Sequence, residues 1–207
     1  QRFGLFMGDK PAVFRDFQIP PLLLRVLFRR GGEWRGTLRP KSGVEGRPVT
    51  YSHYGKGPKP ILERSVDASS SSFWVEAGTG IWASRNDAAG RLPFDVGMVL
   101  LNHGEKWGIR KWWVHDLRQP LDYWYDKGTG RVYLNCPTNP AVAFKSVELA
   151  LTQHVVDQSG AQNVVYDGLT VRYTGAHGFG GAGGTANIVI RNCDICWIGG
   201  GVHSWHK

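Results

Sequence analysis

The sequence has few of the features that would place it in a membrane, in a disulfide scaffold or in the disordered class. No apolar run is long. The longest, Ile19 to Leu24, is far short of the roughly 20 residues of a spanning helix, so no membrane partner is expected. Cysteine is scarce and odd in number: Cys136, Cys193 and Cys196. A chain of 207 residues has enough interior to fold without disulfides or metals. Cys193 and Cys196 form a CxxC with His203 and His206 downstream, but no second cysteine pair accompanies them. The cysteine-to-histidine gap is too short for a finger, and strand positions i and i+3 face opposite sides. No metal site is assigned, and Cys193 is read as a small core residue. Charged residues are only 20% against 42% hydrophobic, which excludes a disordered tail. No run of like charge reaches five residues, so a nucleic-acid arm is not indicated. No Gly-x-Ser-x-Gly elbow is present, which argues against a serine triad. No signal-peptide pattern is visible. The chain starts at Gln1 and stops at Lys207 inside a patterned region, so we expect a piece of a longer protein.

Glycine and aromatic residues are abundant instead. There are 28 glycines, 9 Trp, 7 Tyr and 9 Phe, with glycine near twice its ordinary usage of about 7%. Together with the lack of helical pattern, this predicts an all-β chain with many tight turns. The formal charge is +8, with Arg25, Arg29, Arg30, Arg35, Arg39 and Lys41 clustered early. A basic surface attracts polyanions.

Residues 1–25 form an N-terminal segment of unclear structure, with Pro20-Pro21 breaking any helix. Residues 26–62 read as short strands punctuated by glycines. Residues 63–146 are β-rich with mixed spacing. There Asp122 to Asp126, a turn at residues 127–130 and Arg131 to Leu134 read as a hairpin. Residues 147–207 carry a repeat at an offset of 24. Asn163, Val164, Tyr166, Leu169, Val171, Tyr173 and Gly175 recur as Asn187, Ile188, Ile190, Cys193, Ile195, Trp197 and Gly199. Such units bury too little alone. Stacked about 4.8 Å apart, they form coils whose inward residues make ladders. Asn163 and Asn187 are expected to link adjacent turns through their amides in left-handed geometry. Leu169, Val171, Tyr173 and their counterparts should face inward. Gly175, Gly178, Gly199 and Gly200 are expected at coil corners.

The run from Trp34 to Gly43, then Gly46 to Leu62, resembles the opening coils of right-handed parallel β-helix proteins. The group is the pectate-lyase-like superfamily, and the look is closest to alginate lyases and chondroitinase B. Asp116-Leu117, Trp124-Tyr125-Asp126, Gly130 to Leu134 and Asn139-Pro140 resemble an insertion in β-helix glycoside hydrolases. Ala176-His177-Gly178 and Asn192 to Ile195 look like later coils. The resemblance implies an all-β, right-handed parallel β-helix (solenoid) with a β-rich insertion. It further implies a secreted or periplasmic, carbohydrate-active protein for an acidic or plant-type polysaccharide. Glycoside hydrolase, lyase, non-catalytic carbohydrate-binding module and, last, basic polyanion binder all stay open.

Chemistry on such coils must point outward. Alternation turns Thr170, Arg172, Asp194 and Cys196 out, with Arg172 able to pair diagonally with Asp194. His177 is placed in a glycine-rich turn, and His203 lies past the equivalent turn. Asp194, His177, Arg172 and His203 are therefore the candidate catalytic set. No cofactor is assigned. Calcium, common in the lyases, would draw on Asp116, Asp122 and Asp126, whose spacing matches no known loop. Trp107, Trp112, Trp113, Tyr123, Trp124 and Tyr125 crowd one stretch. Indole and phenol faces stack on the C–H face of sugars, so these six are the candidate substrate-binding set. No nucleic-acid partner is expected. An unfinished last coil would expose strand edges and favour self-association.

Overall fold

A computed structural model describes residues 25–202, together with the short strands Gly4–Phe6 and Ala12–Val13. The rest of the N-terminal segment, His203, His206 and Lys207 lie outside the described residues.

The chain is a right-handed parallel β-helix carrying a β-rich insertion. One face of the solenoid is a five-stranded sheet ordered Gly4–Phe6, Arg25–Arg29, Val49–Tyr54, Gln162–Asp167, Ala186–Arg191. Every neighbouring pair is parallel. A second face stacks Ala12–Val13, Glu33–Arg35, Ile61–Glu63 and Thr170–Gly180, also in parallel. The far end of Thr170–Gly180 continues onto Val156–Asp157, and Asp194–Val202 pairs with Thr170–Gly180 on the last turn. The strand order jumps from Val49–Tyr54 to Gln162–Asp167, so the ladder of the solenoid runs on without a break across the inserted residues.

The expected 24-residue repeat is the register of the last two turns, pairing Val164 with Ile188 and Tyr166 with Ile190. The asparagine ladder forms: the Asn187 side-chain amide donates to Asn163 Oδ1 at 3.0 Å. Both residues sit at φ +54°, a conformation asparagine tolerates better than other residues with a Cβ. The backbone repeats with the sequence, since Tyr173 and Trp197 also share positive φ. Arg191 reaches back to Asp167 at 2.9 Å, again 24 residues earlier.

Inside the coils Phe28, Trp34, Tyr51, Leu62, Val164, Tyr166, Leu169, Val171 and Phe179 make one buried cluster. Tyr51 stacks on Tyr166 at 5.6 Å in the next turn. Burying a side chain such as Val171 contributes about 1.5–3 kcal/mol. Two expectations fail here. Tyr173 is buried but its counterpart Trp197 is exposed. Gly175 and Gly178 lie within the strand Thr170–Gly180 rather than at corners.

The chain divides into two compact units. One holds Gln1–Arg64, His154–Arg172 and His177–Lys207, and the other Ser65–Gln153 and Tyr173–Ala176. The second unit has its own core of residues such as Val99, Leu101, Tyr123, Tyr125, Val132, Leu134, Leu149 and Leu151. The expected hairpin is present, with Asp122–Asp126 antiparallel to Arg131–Asn135. Ile81–Ser84 and Trp74–Gly78 extend that sheet. Val147–Leu151, expected as coil, pairs antiparallel with Val96–Leu101 and Ser65–Asp67 and belongs to this second unit.

Candidate functional site

The aromatic stretch resolves into two populations, and strand pairing decides which residue joins which. In Asp122–Asp126 the pleat alternates. Tyr123 and Tyr125 face Leu134 and Val132 and are buried, 1% and 8% exposed. The Tyr123 hydroxyl donates to the Gly97 carbonyl at 2.7 Å, and burial pushes its pKa up. Trp124, on the opposite face, packs its ring against Tyr133 at 5.3 Å. Tyr123 and Tyr125, expected to hold substrate, are thus core residues of the second unit.

The tryptophans behave differently because the ladder ends before them. Gly108 lets the strand Ile109–Arg110 lie against Tyr123, since a Cβ there would meet the Tyr123 ring at 2.8 Å. The last ladder bond is Lys111 N–H to the Tyr123 carbonyl, 2.7 Å. Beyond it, alternation no longer applies, and Trp112 and Trp113 are both exposed, 78% and 61%. Trp107 is 54% exposed in the short strand just before. The expectation that Trp112 and Trp113 face opposite sides of a strand is corrected: they lie in a turn. Arg110 sits over the Trp112 ring at 5.8 Å, and His115 stacks parallel to Trp113 at 6.3 Å. The turn is held from below by Asp122, which is buried. Its carboxylate accepts the N–H groups of Arg118 and Gln119 and pairs with Lys111 at 3.1 Å. Exposed tryptophans of this number are costly in water, and Trp107, Trp112 and Trp113 each present apolar ring surface to solvent.

On the coil face, Arg35, Glu63 and Arg172 occupy one register row of three adjacent strands. Glu63 is fully buried and takes Arg35 and Arg172, each at 2.9 Å. Arg172 also meets Glu33 at 3.4 Å. Arg172 does not pair with Asp194 as expected, because Glu63 stands directly beside it in register while Asp194 is diagonal. Asp194 is exposed and pairs with Lys59 at 2.8 Å. His177 is in a strand, not a loop. Its ring lies 5.1 Å from that of His154, and its carbonyl accepts the Val155 N–H. The candidate catalytic residues are therefore dispersed over separate ion pairs and a ring contact. Glu33, Glu63, Lys59 and His154 were missed. The in-register Arg–Glu–Arg row would have been visible had the turns on either side of the insertion been aligned.

Asp116, Asp122 and Asp126 do not converge. Asp116 lies by His115, and Asp126 caps its own hairpin turn by accepting from Thr129 Oγ1 at 2.6 Å, a bond that holds its carboxyl below the usual range. Among the described residues no cluster of three His, Cys, Asp or Glu side chains could hold a metal ion. Partial burial pushes the Cys193 thiol up, away from the reactive thiolate form. At the corner of the coils Arg30 Nε donates to His53 Nδ1 at 3.0 Å. Partial burial, then the Arg30 charge, lowers the His53 pKa.

No protein-family model matches the chain, and no curated protein sequence matches it. Two solved structures resemble it. One is XylC in complex with xylose, at TM-score 0.60 and 12% identity, covering 83% of this chain and 35% of that one. The other is described as a glycoside hydrolase, at TM-score 0.46 and 9% identity, covering 72% of this chain and 43% of that one. The likeness to XylC is one of fold, and the chain spans about a third of XylC's length.

Proposed function

We propose that the chain is part of a carbohydrate-active β-helix protein and that Trp107, Trp112 and Trp113 form its polysaccharide-holding surface. The exposure of three tryptophans on one short segment carries this reading. Flat indole faces suit the C–H face of pyranose rings, and the XylC fold with its bound xylose supports a sugar ligand. Arg110 and Lys111 are already ion-paired with Asp95 and Asp122, so the choice between an acidic and a neutral glycan is left to the binding test below. The work is done outside the cytoplasm, where such polysaccharides occur.

Holding is the role the described residues support, ahead of cleavage. Glu63, Arg172 and Asp194 serve as ion-paired ties between turns rather than as proton-transfer groups. A hydrolase or lyase reading keeps its claim through the longer proteins of this fold. Incubation with polygalacturonate, alginate, chondroitin sulfate and xylan separates the readings. Retention by the acidic or the neutral members without product supports holding, and Trp112→Ala should abolish it. New reducing ends would mark hydrolysis, and new absorbance from unsaturated uronate would mark a lyase. Equal retention of single-stranded DNA would favour a general polyanion binder. No retention of any glycan sinks the carbohydrate reading.

A further inference from the structure

A tryptophan as exposed as Trp112, on a turn outside any ladder, has no backbone pairing of its own to fix its ring. What fixes it is a chain of contacts from below. The Arg110 guanidinium lies over one face of the Trp112 ring, 5.8 Å from its centre, a cation–π contact that leaves most of the indole in water. That guanidinium is itself tied down. Its Nη2 donates to Asp95 Oδ2 at 2.7 Å and its Nη1 to the Val96 carbonyl at 3.3 Å. Both side chains of the pair are mostly covered, 33% and 19% exposed, so the tie is less screened than a surface pair. Arg110 is also the last residue of a paired strand, opposite Tyr123, so its backbone is fixed too. A planar fork bonded at two points stacks on an aromatic face in one orientation.

We propose that Asp95 and Arg110 are positioning residues for the tryptophan surface. Asp95 locks the guanidinium, the guanidinium biases the orientation of the Trp112 ring from one side, and the opposite face is the more open one to meet a sugar ring. Neighbouring Trp113 has a looser contact, with the exposed His115 ring parallel to it at an angle of 5° and 6.3 Å away. The platform is ordered before ligand arrives, so binding need not bear the entropy of immobilising that indole. This inference rests on the carbohydrate reading above, and its test is chosen so that the two fail separately.

The full chain is prepared with Asp95→Asn, Asp95→Glu and Trp112→Ala. Affinity electrophoresis in xylan and in polygalacturonate reads binding, and ¹⁵N relaxation of the Trp112 indole N–H, assigned with Trp112→Phe, reads ring order. Asp95→Asn should weaken retention about 3- to 10-fold, the cost of ordering one side chain on binding. It should also lower the indole order parameter, and Asp95→Glu should restore both. Unchanged affinity and unchanged ring order in Asp95→Asn overturn the proposal. So does a loss of affinity that tracks only a fall in melting temperature. If Trp112→Ala binds as the wild type does, the assignment of the tryptophans as the holding surface falls, and the relaxation arm still decides whether Asp95 orders the ring.

Discussion

At the scale of single residues, the solenoid relies on side chains that serve two adjacent turns at once. Asn163 holds a left-handed backbone and accepts the Asn187 amide. Asn163→Ala removes the acceptor and leaves a Cβ residue in the disfavoured conformation. The expected loss is about 1–2 kcal/mol, readable as a drop of roughly 2–8 °C in melting temperature. A melting temperature equal to wild type would show that the ladder contributes nothing. His53 is the other residue with a measurable signature. Its folded pKa is lowered by partial burial and by Arg30, against a smaller opposing pull from Asp167. The unfolded chain then binds more protons between the folded pKa and the free value near 6.5. Stability from neutral His53 is therefore complete above that value and is lost as pH falls below it. Thermal melts between pH 7.5 and pH 5 should show a decline that His53→Gln makes shallower. Identical slopes in the two proteins would assign the decline to other groups.

At the scale of elements, glycine sets where two backbones touch. A Cβ on Gly97 would stand 2.4 Å from Gly175 Cα, within the second unit. Gly97→Ala must push the strand Val96–Leu101 away from this neighbour, costing at least about 1–3 kcal/mol. Hydrogen exchange along Val96–Leu101 should accelerate, and unaltered protection there would refute the close approach. The same elements show what the sequence could and could not reveal. The last two turns were legible because the 24-residue offset is unbroken and each turn repeats its positive-φ positions. The hairpin Asp122–Asp126 was legible from its alternation and its turn. Val147–Leu151 was not, because all five residues are buried. Val147, Leu149 and Leu151 alternate with Glu148 and Ala150 as in a strand with one face in water, and that pattern does not reveal that Glu148 is buried too or that the partners are antiparallel. Trp112 and Trp113 were misassigned for the opposite reason: the strand pattern ran past the last ladder bond. The Arg35–Glu63–Arg172 row stayed hidden because the insertion separates Glu63 from Arg172 by more than a hundred residues.

At the scale of the molecule, each turn of the coil is covered by its neighbours, and the last described turn is less covered than the one before it. Ala186–Arg191 is the final strand of the first sheet, and among the described residues nothing pairs with its outer edge. The side chains of that turn show the same incompleteness. Ile188, Ile190, Cys193 and Ile195 are only partly buried, where their counterparts one turn earlier are fully covered, and Val189 and Trp197 are exposed. A parallel strand with free N–H and C=O groups beside half-covered isoleucines is a template for another strand. The 207-residue chain is therefore expected to associate with itself as concentration rises. Association should occur through this edge rather than through the tryptophan surface. Sedimentation velocity over a concentration series measures the effect. Val189→Lys places a charge on the exposed side of the edge strand without entering the coil, and should shift the distribution toward monomer. Trp112→Ala should leave it unchanged. A chain that stays monomeric at every concentration would show that the edge is already covered, and a Trp112→Ala variant that dissociates would move the contact to the second unit.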